Sequence, residues 1–224
     1  MPRRARFVLI DYPHHIVQRG NNSQQAFLDR QDYLKYLHFL QEYAEKYSVK
    51  ILAYCLLGNH VHLLAAPAQI DALAKMMRTI AGFYSRYFNK KYARKGHLWE
   101  SRFYSSVVES ESYRWTVALY IEWNPVRAKL VSRPEKWVYS SARHHAGILN
   151  DAVITEPLFS APDDKEYHRL LAEGPPPTHV EEIRRCTRGN RPIGSGDFLA
   201  RLATLFGVSP HRRVGRPRSM KQKK

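Results

Sequence analysis

The sequence predicts an α+β protein whose antiparallel sheet carries its helices on one face. Two observations point there. Along residues 1–150 the apolar residues switch between strand-like and helix-like periods, and two apolar runs are separated by only Gly58-Asn59, as in a hairpin. His14–Arg19 reads as a first strand closed by Gly20-Asn21-Asn22. Tyr33, Leu37, Leu40, Ala44 and Tyr47 then form a helical stripe, led in by Asp29 or Asp32 as cap. Val49–Leu57 and His60–Ala66 read as the hairpin strands. Leu73, Met76, Met77, Ile80, Phe83, Tyr84 and Tyr87 mark a second helix, Tyr104–Glu109 another strand, and Glu111–Trp123 a third helix. That helix is expected to stop at Asn124, because a residue before proline is pushed out of the α region.

Charge divides the chain. It has 224 residues and a net charge of +16, which points to a polyanionic partner. Residues 1–150 are expected to form one compact domain. Residues 151–183 hold eight acids against two bases and a Pro175-Pro176-Pro177 run, so they read as an acidic linker. Residues 184–224 hold twelve bases against Asp197 alone and read as a basic DNA-binding tail with a short helix over Asp197–Phe206. Within that tail, the stretches around Arg191 and Arg216 have the Arg-Pro character of arms that lie in a narrow groove.

Cys55 and Cys186 cannot make a disulfide framework, and no apolar run approaches the roughly 18 residues of a membrane span. The basic opening Met1–Arg6 is followed by an apolar stretch too short for a secretion signal. The expected location is the cytoplasm, in association with the nucleoid.

Three constellations could do chemistry. In His60-Val61-His62, strand alternation points both imidazoles one way and Val61 the other, and paired imidazoles on a strand suit a divalent metal. Buried or surface histidines with ordinary partners are the competing reading. In the third helix, Tyr113 and Tyr120 share a face, and Asn124 lies one turn after Tyr120. A phenol is a competent nucleophile near a cation, although aromatics at helical spacing usually pack in a core. Residues 84–104 interleave six bases with seven aromatics, the combination that neutralises phosphates while stacking on unpaired bases. Trp99 and Phe103 follow Gly96 in what reads as a loop, with less need of them for a core.

Taken in order, Asn59-His60-Val61-His62-Leu63-Leu64, Gly96-His97-Leu98-Trp99-Glu100-Ser101-Arg102-Phe103 and Tyr120-Ile121-Glu122-Trp123-Asn124-Pro125-Val126-Arg127-Ala128 resemble the REP-associated tyrosine transposases. These are a domesticated branch of the single-tyrosine HUH transposases of the insertion-sequence-200 type. His15–Asn21 resembles the family's first strand, and the resemblance spans residues 12 to about 145. It implies a ferredoxin-like domain, His60 and His62 as ligands of Mg²⁺ or Mn²⁺, and Tyr120, not Tyr113, as nucleophile. Asn124 would be a third ligand or a polar group near the metal. The implied activity is cleavage and rejoining of single-stranded, hairpin-containing DNA through a 5′-phosphotyrosine.

Candidate DNA contacts are Arg19, Arg86, Lys90, Lys91 and Arg94. To these are added Lys95, Trp99, Arg102, Arg127, Arg191 and Arg216. No membrane partner is expected. The resemblance leaves monomer and dimer both open. Two rivals stand beside it: a repeat-binding protein that has lost catalysis, and a zinc hydrolase. The second lacks an obvious third ligand and leaves the charge unexplained.

Overall fold

The computed structural model describes residues 6–109, 113–158 and 164–207. Glu111, at the expected start of the third helix, and Arg216 with its Gly-Arg-Pro segment lie outside the described residues.

The strands are β1 (His14–Arg19), β2 (Val49–Leu57), β3 (His60–Pro67) and β4 (Tyr104–Val107). They form one four-stranded sheet in the order β2-β3-β1-β4, with every neighbouring pair antiparallel. The longer helices are α1 (Arg30–Lys46), α2 (Ala72–Lys91) and α3 (Tyr113–Glu122), followed by the short turns α4 (Asn124–Arg127) and α5 (Ala142–His145). Beyond these come α6 (Asp164–Glu173), α7 (Pro177–Arg188) and α8 (Gly196–Phe206). The order through α3 is the one read from the sequence.

Asp29 caps α1 by accepting from the Asp32 backbone N–H, and Asp32 reaches back to the Asp29 N–H, so two orphan donors are satisfied at once. Gly20 ends β1 where only a bare Cα fits: a Cβ there would lie 2.3 Å from the Gln24 carbonyl oxygen and 3.3 Å from that of Asn59.

The α+β antiparallel architecture holds, but the placement of all helices on one face does not. On β3, Val61, Leu63 and Ala65 join Ile16, Tyr36, Leu40, Leu73, Met76 and Ile80 in a core roofed by α1 and α2. Leu64 and Ala66, pointing the other way, join Leu52, Cys55, Leu57, Val117, Ile121, Val180 and Ile183 under α3 and α7. A sheet covered on both faces needs apolar residues at nearly every position, which is why β2 and β3 read as continuous runs rather than alternating ones.

The boundary near residue 150 is likewise not where the core ends. Leu158, Tyr167 and Leu171 of the expected linker are buried beneath α3, and the Thr155 hydroxyl accepts from the Ile51 N–H at 2.9 Å. The expected boundary between linker and tail falls inside α7, which packs on α3, β1 and β4. After it, Ile193 pairs with the free side of β4, donating to Val107 O at 2.8 Å and accepting from Glu109 N at 2.9 Å. This covers an otherwise open sheet edge. Net charge concealed the packing because the buried residues are few and spaced on one face of each helix.

The chain does not leave the helical region at Asn124 either. Asn124–Arg127 continue as a further turn, with Arg127 N bonded to Trp123 O and Ala128 N to Asn124 O. Pro125 sits in the first turn, where its missing N–H costs nothing. The junction is held by Glu122, which is fully buried and accepts from Ser141 Oγ (2.5 Å), His145 Nδ1 (2.6 Å) and the Tyr167 hydroxyl.

Candidate active site

β1 and β3 are neighbours, with Val17 opposite His62 and Arg19 opposite His60. On the face turned to α3, the pleat therefore gathers His15, Val17 and Arg19 from one strand and His60 and His62 from the other. α3 crosses this face and sets Tyr120 beside them. The Tyr120 ring centroid lies 5.8 Å from that of His62 and 5.5 Å from that of His15, edge-on to both. These residues line a cleft of about 560 Å³, whose other walls include Asn124 and Arg127 of α4 and Arg184, Thr187 and Arg188 of α7.

The imidazoles are neutral. Burial pushes His60 down to about 4, with Arg19 adding to the effect, and holds His62 well below the ordinary histidine value, with His60, His15, Arg127 and Arg19 adding to it. Burial likewise lowers His15 to about 3. Each ring in the pair uses Nδ1 on the protein: His60 Nδ1 bonds Asn59 Oδ1 at 2.6 Å, and His62 Nδ1 bonds His15 Nε2 at 3.0 Å. Neutral imidazoles whose Nδ1 is taken offer Nε2 as the donor to an electrophile, so the pair fits a divalent metal in its donor chemistry. Among the described residues there is no group of three or more His, Cys, Asp or Glu that could hold a metal.

Asn124 is largely committed. Its Nδ2 donates to Tyr120 O (3.1 Å) and Ile121 O (3.0 Å), and its Oδ1 accepts from Arg127 Nη2 (2.8 Å). Arg127 in turn lies over the Tyr120 ring and keeps Nε and Nη1 buried without a hydrogen-bond partner. Burial lowers its pKa to about 10, with Arg184 opposing the charge and Tyr120 supporting it.

Of the candidate DNA contacts among the described residues, only Arg19 and Arg127 line the cleft. α2, with Arg86, Lys90 and Lys91, packs on the opposite face of the sheet. Arg86, Lys90, Lys95 and Arg102 are exposed there or on the following loop. Arg94 bonds Gln24 Oε1 at 2.6 Å and lies over Phe88. Lys91 is structural, paired with Asp29 (2.7 Å) and Asp32 (2.8 Å). Trp99 and Phe103 are core residues, Trp99 packing against Tyr36 and Tyr84, because this loop folds over the open end of the first core instead of facing solvent. Arg191 bonds Arg185 O at 3.2 Å, outside the cleft.

The sequence reading missed His15, Thr187, Arg184 and Arg188 as cleft residues. For His15 a signal existed, since it shares a strand face with Arg19 and sits beside the predicted hairpin. For α7 the basic charge from Arg184 on was the signal of a DNA-binding segment, but only packing brings it to β1 and the cleft.

The chain is thus an open antiparallel sheet with the helix of Tyr120 laid over paired strand histidines. A solved REP-associated tyrosine transposase bound to a REP hairpin is similar over 72% of this chain and 96% of its own, with a TM-score of 0.55 and 17% identity. A putative transposase from Deinococcus radiodurans R1 matches 58% of this chain and 92% of its own, with a TM-score of 0.38 and 14% identity. No curated protein matches the chain. The family described as "Transposase IS200 like" matches residues 9–124, just over half of the sequence, and the chain belongs to that family. It is a transposase enzyme. No helix among the described residues is long and apolar enough to cross a membrane.

Proposed function

We propose that the protein cuts and rejoins single-stranded, hairpin-containing DNA, with Tyr120 as the nucleophile. The observation that carries this reading is the position of Tyr120 beside His62 in one basic cleft, 5.8 Å between ring centroids. The Tyr120 oxygen bonds the scissile phosphorus, the bond from phosphorus to the 3′ oxygen breaks, and the phenolic proton ends on the released 3′-hydroxyl. The strand is then held as a 5′-phosphotyrosine. Its ester keeps the energy of the broken bond, so another 3′-hydroxyl can reverse the step and join strands without ATP.

His60 and His62 would hold a divalent metal, Mg²⁺ or Mn²⁺, which when bound polarises a scissile phosphate oxygen. Two imidazoles alone are a soft set for Mg²⁺, so oxygen donors must complete it. Of its two expected roles, Asn124 takes that of polar neighbour, since its Oδ1 already serves Arg127. Arg127 supplies two unpaired N–H groups to the phosphate, and Arg19, Arg184 and Arg188 line the path of the strand. Arg86, Lys90, Lys95 and Arg102 are left for flanking DNA, together with Arg191.

The test is Tyr120→Phe with a labelled hairpin oligonucleotide and Mn²⁺, read on a denaturing gel. Wild type gives a protein–DNA band that survives denaturant; the variant binds but gives none. An adduct formed by the variant would overturn the assignment. Binding without any wild-type adduct would favour a repeat-binding protein that has lost catalysis.

A further inference from the structure

We infer that Thr187, acting through His15, is a positioning residue that holds His62 in the tautomer whose Nε2 lone pair faces the cleft. The four groups form one directional chain. The Thr187 hydroxyl lies 2.7 Å from Ile183 O and 2.8 Å from His15 Nδ1. A carbonyl oxygen only accepts, so the single hydroxyl proton is donated to Ile183, one turn back in α7. The hydroxyl then accepts, and His15 Nδ1 must carry a proton. A neutral imidazole has one N–H, so His15 Nε2 is an acceptor. Across 3.0 Å it meets His62 Nδ1, which must therefore be the protonated nitrogen of that ring. What is left to His62 is the Nε2 lone pair.

Every member is buried, so water does not compete for these bonds. The His15 and His62 rings lie nearly parallel, 10° apart with centroids at 5.3 Å, which keeps the bond in the ring planes. His60 has no such relay, since Asn59 Oδ1, an obligate acceptor, fixes its tautomer directly. The two histidines of the pair are thus oriented by different means, one local to the hairpin turn and one from α7. That second means lies beyond residue 124, where the family match ends. A segment that reads as a basic appendage is, on this inference, part of the catalytic apparatus.

The inference rests on the reading of His62 as a metal ligand, and one of the two readouts is independent of it. The first is the ¹⁵N shift and two-bond ¹H–¹⁵N coupling pattern of His62 in the metal-free full chain. The second is Mn²⁺ affinity measured by electron paramagnetic resonance. Wild type should show His62 as the Nδ1–H form. Thr187→Val, nearly isosteric but without the hydroxyl, should show a mixture of tautomers and bind Mn²⁺ at least tenfold more weakly, the usual loss for removing a partner behind a metal-ligating histidine. Thr187→Ser keeps the hydroxyl and should restore both signals to within about threefold. A merely structural role for Thr187 would leave the tautomer pattern unmoved. An unchanged Nδ1–H signal in Thr187→Val overturns the inference, as does an Nε2–H signal for His62 in wild type. If wild type shows the Nδ1–H form but binds no Mn²⁺, the metal reading fails and the relay stands on the spectrum.

Discussion

Arg127 lies over the face of Tyr120, 4.3 Å from guanidinium carbon to ring centroid, and donates to the Tyr120 carbonyl at 2.8 Å. The same side chain is tethered by Asn124 and keeps Nε and Nη1 buried without a hydrogen-bond partner. On the proposed function one residue would support negative charge at the ring face and offer a planar fork to an incoming phosphate. Arg127→Lys keeps the charge and loses the fork. Adduct formation in single-turnover assays should fall by about 10²-fold, with a much smaller loss in hairpin affinity. Equal losses in the two measurements would show that Arg127 serves binding alone.

Arg184 and Arg188 bring α7 to the wall of the cleft. On the proposed function each would neutralise a phosphate by releasing condensed counterions, so replacing either with Ala should make the dependence of log Kobs on log salt shallower by about 0.7 for a single strand. A titration of oligonucleotide binding across salt concentrations checks this. An unchanged slope in both variants would place the strand elsewhere.

Glu122 fixes the helix that carries Tyr120. Removing a buried carboxylate that satisfies three donors leaves them without a partner, so Glu122→Ala should lower unfolding free energy by about 3 kcal/mol in urea denaturation. Glu122→Gln, which keeps an acceptor, should cost less. A loss below 0.5 kcal/mol in Glu122→Ala would mean that the network contributes no stability.

Asp32 anchors α1 to α2. Burial pushes its carboxyl up, but Lys91, the Leu28 N–H, Tyr92 and the Asp29 N–H together hold it below the ordinary value of 3.8. With the folded value depressed, its contribution is present above the unfolded value and is lost as pH falls through the folded one. Thermal melts should therefore show a falling Tm below about pH 4, and the fall should be smaller in Lys91→Met. Parallel curves for the two proteins would remove the ion pair from the acid transition.

What could be read from the chain depends on how local each cause is. The alternation that puts His60 and His62 on one strand face, the helix that carries Tyr120, the Gly58-Asn59 turn and a cap at Asp29 or Asp32 are all set within a few residues; each is present, and the cap is Asp29. The double-sided burial of β2 and β3 was also written there, in unbroken apolar runs, but such a run does not say which helix covers which face.

Tertiary structure alone decided the rest. Trp99 and Lys91 look like DNA contacts by composition, yet packing claims one for the core and an ion pair claims the other. His15 meets His62 across 47 positions and Thr187 across 172, and no local period records such a meeting. The sequence by itself determined the elements and the chemical groups they carry. Which of those groups share a cleft depended on how two layers of helices close over both faces of the sheet, because contact between distant segments is a property of packing and not of spacing.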